Sequence, residues 1–176
     1  MWLIMLQLRD LPTPEVLQRF AQRYPAADVT AIASFLMLLR VATDLSVALD
    51  ACLSKHELLQ GRWWVLILLM RETDLTSTPS VLAEKLGVTR ATMTGLLDGL
   101  EQGSLVQRIS VPEDRRSVKI RLTAAGQAKL DAVMPDYYTR LRQCMRGLSE
   151  QQRNDLQAIL GVIDHGMSAW DFNQSI

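Results

Sequence analysis

Residues 81–126 read VLAEKLGVTRATMTGLLDGLEQGSLVQRISVPEDRRSVKIRLTAAG, and two hydrophobic periods meet inside them. Just ahead, Thr78 can cap a helix and Pro79 suits a first helical position. Val81, Leu82 and Leu86 then mark a short amphipathic helix that Gly87 ends. Thr89 can cap a second helix, in which Met93, Leu96, Leu97 and Leu100 follow the i, i+3, i+4, i+7 pattern until Gly103. From Leu105 the period changes to two. LVQRIS (105–110) and VKIRL (118–122) alternate apolar and polar residues, with Lys119 and Arg121 on one side of the second strand. PEDRRS lies at the centre of the loop expected between them. Two helices joined around a glycine and followed by a β-hairpin make a winged helix.

The flanks read as helices. Thr13-Pro14-Glu15 starts one that Pro25 stops near Tyr24, and Asp28 caps the next. That next helix runs from Val29 to about Leu53 without proline or glycine, and its apolar face includes Ile32, Phe35, Leu36, Leu39, Ala42 and Leu49. A third, strongly apolar helix spans Trp63 to Met70. Thr123 caps a helix that meets Pro135, where a kink or restart is expected. Ser149-x-x-Gln152 is a capping box ahead of a last helix with Leu156, Ile159, Leu160 and Ile163 on its inner face. The fold expected is mainly α with a small β-hairpin wing.

Charge narrows the function. The chain carries 19 basic and 19 acidic residues, but between Ser80 and Leu130 eight basic side chains face five acidic ones, a local excess of +3. Such an excess is the footprint of a nucleic-acid face. Two histidines, no Ser/His/Asp grouping and no phosphate-cradling glycine loop argue against an enzyme. Cys52 and His56 stand four apart, but a third ligand is not evident, so neither a metal site nor a cofactor is expected. Two cysteines far apart fit a reducing cytoplasm. The apolar opening MWLIMLQL is too short to span a bilayer and is expected to pack as an extra N-terminal helix or arm.

Taken together, the run from Val81 to Gly126 resembles the MarR family of bacterial transcription regulators. Its most specific element is Asp114-Arg115-Arg116-Ser117-Val118, followed by Leu122-Thr123 and Gly126. The resemblance covers Leu59 to about Met134 closely, and the flanks in pattern only. It implies a homodimer whose N- and C-terminal helices interlock, with two winged helices on a pseudo-palindromic operator in double-stranded DNA. The organisation it implies is one intertwined domain: dimerisation helices over 1–58, a DNA-binding region over 59–123, and further dimerisation helices over 124–176.

Site residues follow from the pattern and from the resemblance. A recognition helix reads base edges with side chains near its N-terminus, which nominates Thr89, Arg90, Ala91, Thr92, Thr94 and Gly95, with Arg90 foremost. The helix start at Thr78 and Ser80 suits a phosphate. In the wing, the resemblance implies that Arg116 enters the minor groove with Asp114 holding its guanidinium, while Arg115 and Lys119 meet phosphates. Gly95 and Gly99 depart from the family, since many relatives carry a basic residue at those positions. Relatives of this kind release DNA on binding a small, often aromatic anion. Material for such a crevice exists in His56, Arg62, Trp63, Trp64, Met70 and Arg71, although a Trp-Trp-Val-Leu-Ile run is first of all core. A winged helix serving protein contacts alone is the alternative function.

Overall fold

A computed structural model describes the backbone of residues 10–111 and 114–167, and their side chains except at 111–117. The elements run α1 (Pro14–Arg23), α2 (Val29–Ser54), α3 (Gln60–Met70), β1 (Thr76–Ser77), α4 (Pro79–Leu86), α5 (Arg90–Gln102), β2 (Val106–Val111), β3 (Asp114–Leu122), α6 (Ala124–Met145) and α7 (Glu150–Met167). The architecture is the mainly α, winged-helix one expected. The chain forms two compact units, one ending at Val133 and the other beginning at Met134. The apolar opening segment lies outside the described residues.

Helix starts are set by the capping chemistry legible in the sequence. Thr13, Thr78 and Thr89 each accept a hydrogen bond from a backbone N–H in the first turn of their helices. Asp28 accepts from Thr30 N at 2.9 Å and Ala31 N at 3.0 Å, and these bonds, Ala31's foremost, lower its pKa below the ordinary carboxylate value. Ser149 and Gln152 close a reciprocal box, with Ser149 N donating to Gln152 Oε1 at 2.8 Å and Gln152 N to Ser149 Oγ at 3.2 Å. Gly87 closes α4 at φ +62°, a left-handed conformation that costs glycine nothing.

The core of the first unit gathers between α3, α4, α5, α6 and the sheet. Trp63, Val65, Leu66 and Leu69 from α3 are fully enclosed. So are Leu82, Met93, Leu97, Leu100, Ile120, Leu130 and Val133. Each large apolar side chain so buried contributes about 1.5–3 kcal/mol.

Four sequence expectations need correction. A third strand, β1, joins the sheet in the antiparallel order β1-β3-β2, pairing Thr76 with Arg121 and Ser77 with Ile120. The loop expected around PEDRRS is shorter, because β3 already begins at Asp114 and Val111 pairs with Asp114. The register then shifts between Ser110 and Val111, which leaves a bulge opposite them. Helix α6 runs unbroken past Pro135 and does not restart. A proline removes a single i to i−4 bond, and here the helix continues on either side of that gap.

The fourth correction concerns apolar faces that stay largely exposed within their own unit. On α2 only Thr43, Cys52 and Leu53 are buried, while Phe35, Met37, Leu39, Val41, Leu45 and Val47 are exposed. On α7 the expected inner residues Leu156, Ile159, Leu160 and Ile163 are all exposed, Ile159 at 57%. Periodicity reports which face is apolar; it does not report whether the same chain covers it.

Gly126, part of the wing signature, has a steric reason. A Cβ there would overlap the Leu105 carbonyl oxygen and lie 2.6 Å from Leu122 Cδ1. Thr123 Oγ1 ties the same corner together, 2.7 Å from the Ser104 carbonyl and accepting from Gly126 N at 3.0 Å. Gly126→Ala should therefore destabilise the fold by about 1–3 kcal/mol, as overpacking does, read as a lower urea midpoint. An unchanged midpoint would contradict the close approach.

Candidate nucleic-acid interface

The buried stripe of α5 decides what its other side presents. Met93, Leu97 and Leu100 face inward at no more than 1% exposure. At 100° per residue, Ala91, Gly95 and Asp98 must then face away with Thr94 at the flank, and all four are exposed. Arg90 and Thr92 are exposed beside them in the first turn. Thr89 Oγ1 caps this turn through Thr92 N at 3.1 Å and lies 2.9 Å from Thr92 Oγ1. Thr94 Oγ1 donates to the Arg90 carbonyl at 3.0 Å, which leaves its methyl as the outward feature. The first two turns of α5 thus carry one long cationic side chain among short ones.

The other expected contacts fall on neighbouring elements. Thr78 and Ser80 sit at the start of α4, with their hydroxyl oxygens 3.1 Å apart. Lys119 is exposed on β3, on the strand face opposite the buried Ile120. Asp114, Arg115 and Arg116 lie on the β3 backbone, and their side chains, including the expected Asp114–Arg116 bond, are outside the described residues.

The two glycines of α5 have different reasons. A Cβ on Gly95 would meet nothing within 4 Å, so this position is open on the outward face. A Cβ on Gly99 would overlap the Arg62 guanidinium, which lies against the helix there. One residue earlier on α3, a Cβ on Gly61 would come within 2.9 Å of Leu96 Cδ2. Small residues therefore let α3 and α5 approach closely. The Arg62 Nε is buried with no hydrogen-bond partner among the described residues.

Sequence reasoning missed an ionic cluster linking this helix to the wing. Arg108, on β2, donates through Nη2 to Asp98 Oδ1 at 2.6 Å and through Nη1 to Glu101 Oε2. Its backbone N–H also donates to Glu101 Oε1 at 3.1 Å. Asp98 and then Glu101 raise the Arg108 pKa further above its ordinary value against the opposing effect of burial. The signal was present as three charges at positions 98, 101 and 108, but only the turn at Gly103 and Ser104 brings them together. A second unforeseen pair, Lys85 Nζ to Glu72 Oε1 at 2.6 Å, ties α4 to the turn after α3.

The residues expected to line a ligand crevice are spread along α3 and its entry. Trp63 is fully enclosed and forms core, offering no surface to a ligand. Arg62, Trp64 and His56 are half-buried. Met70 and Arg71 are exposed at the far end of α3, about 12 Å from Arg62 along the axis at the helical rise per residue.

The glycine geometry gives a paired prediction. Gly95→Ala should stabilise the protein by up to about 1 kcal/mol, the helix-propensity difference. Gly99→Ala should gain clearly less, or lose stability, because the Arg62 guanidinium must move off the helix. Thermal melts of both variants test this, and equal gains would contradict the Arg62 placement.

Comparison with known proteins agrees with this geometry. The family model described as MarR family matches residues 58–117. The HTH-type transcriptional repressor YetL of Bacillus subtilis is 28% identical over 165 residues, covering 94% of this chain and 99% of that protein. The HTH-type transcriptional regulator PecS of Dickeya dadantii is 30% identical over 157 residues, covering 89% and 95%. Among solved structures, the MarR family regulator Sco3205 from Streptomyces coelicolor, crystallised in complex with DNA, shares the fold. It superposes with a TM-score of 0.67 at 21% identity, covering 89% of this chain and 90% of that one. Near-complete alignment to such regulators, on a winged helix with an outward-facing α5, establishes that this chain belongs to the MarR family of transcriptional regulators.

Proposed function

We propose that this chain binds double-stranded DNA sequence-specifically as a homodimer, represses transcription at a pseudo-palindromic operator, and releases it when a small aromatic or anionic ligand binds. The observation that carries the reading is the outward face of α5, where Arg90, Thr92 and Thr94 stand exposed in the first turns. A helix N-terminus with one long donor and flanking methyl groups suits the major groove, where arginine pairs with guanine and methyls meet thymine. The DNA-bound structure of Sco3205 supports the partner, and the name of YetL supports repression. Such a regulator works where the DNA is, in the cytoplasm.

Dimerisation is supported by apolar surface left open in each unit. Helix α2 is long and apolar enough to cross a bilayer. It also carries an Arg40–Asp44 ion pair at 2.8 Å and continues through the turn into the winged helix, which fits a protein partner better than lipid. In the second unit, α6 and α7 leave a cleft of about 630 Å³ lined by Leu141, Met145, Leu156 and Leu160 together with Arg142, Arg146 and Arg153. A second copy would cover these faces. The ligand reading rests on Arg62, since a buried guanidinium nitrogen without a partner is costly and an anion would satisfy it.

Fluorescence anisotropy with a duplex from the chain's own upstream region, repeated at several salt concentrations, tests the DNA reading. Affinity should fall steeply with salt, and Arg90→Ala and Arg116→Ala should each weaken binding about tenfold or more. Light scattering should give twice 19.8 kDa. Salt-independent association, or a monomer, would instead favour the protein-contact reading. Titrating benzoate, as a simple aromatic carboxylate, into the complex should release DNA, and Arg62→Ala should abolish that response. Release that persists in the variant would place the ligand elsewhere.

A further inference from the structure

We infer that Arg108 is a positioning residue for DNA binding, a brace that fixes the wing to the C-terminal half of the recognition helix through Asp98 and Glu101. The inference rests on the DNA-binding reading above.

Two carboxylates on the outward and flanking sides of a helix that meets phosphates are an electrostatic liability. Asp98 faces the same way as Ala91 and Gly95, with its side chain 51% exposed. Its cost to DNA binding is offset only if a cation holds it and if the pair does something useful. As a stabiliser of the fold the cluster is poor. Arg108 remains one-third exposed and Glu101 39% exposed, where ion pairs add little to stability.

What the cluster does well is geometric. A planar guanidinium addresses two acids spaced three residues apart, on successive turns of α5. The Arg108 backbone N–H adds a third bond, so the strand itself is held and not merely a side chain. Arg108 lies opposite Ile120 in the hairpin, and Lys119 opposite Ile109. The orientation of β2 on α5 is therefore passed directly to β3, which carries Lys119 and, further along, the backbone of Arg115 and Arg116. On the other side of the same helical segment, Arg62 lies across Gly99. The C-terminal half of α5 is gripped by two arginines, and its first turns are left free to face DNA.

Simple electrostatics and the brace predict opposite signs. Removing two negative charges next to a phosphate surface should tighten DNA binding if the acids have no positioning role. With the brace, Asp98→Asn combined with Glu101→Gln should weaken binding tenfold or more at moderate salt. It should also make the salt dependence shallower, because the phosphates met by the wing drop out of the count. Circular dichroism should show the helices retained; if the double variant unfolds, the single variants are compared, each losing about threefold or more. Wild-type binding alongside equal or tighter binding by folded variants would overturn this inference alone. Failure of the wild type to bind DNA at all would overturn the DNA reading and the brace with it.

Discussion

Burial of a single apolar stripe on α5 orients everything that faces outward from it. Met93, Leu97 and Leu100 are enclosed, and together they outweigh any exposed ion pair on the same helix several-fold. Hydrophobic packing therefore fixes the rotation of α5 about its own axis, and charge only trims the attachments. The close approach that this packing needs is supplied by Gly61 beneath Leu96 and by Gly99 beneath Arg62. Larger residues at either place would push α3 and α5 apart and turn the outward face with them.

The same accounting shows where apolar surface is left open. Each unit keeps apolar side chains in solvent, along α2 in the first and along α6 and α7 in the second. A lone exposed leucine needs no explanation, but a run along one helix marks a surface meant for contact. On the proposed reading, folding and association are linked, so stability depends on protein concentration.

Much of this was legible in the sequence because it is local. Caps at Thr13, Asp28, Thr78, Thr89 and Ser149 need only neighbours within three residues, and all of them form. The switch from helical to alternating spacing near Leu105 located the wing. What escaped depended on distance. The two-residue strand β1 is too short to show a period and exists only because β3 passes beside it. The extension of β3 to Asp114 reflects pairing across the hairpin, against the turn-like composition of PEDRRS. The two glycines of α5 that depart from the family pattern proved to differ, one open and one covered by an arginine from 37 positions earlier. Asp98, Glu101 and Arg108 registered only as charges to be counted until the turn at Gly103 brought them into contact.

Amide hydrogen exchange, followed with and without a duplex carrying the upstream region, tests most directly which way the recognition helix faces. Added DNA should slow exchange in the peptides covering Thr89 to Gly95 and the hairpin around Lys119, and leave those from α3 unchanged. Protection concentrated on α3 or α2, with the start of α5 exchanging as before, would contradict the orientation from which the rest follows.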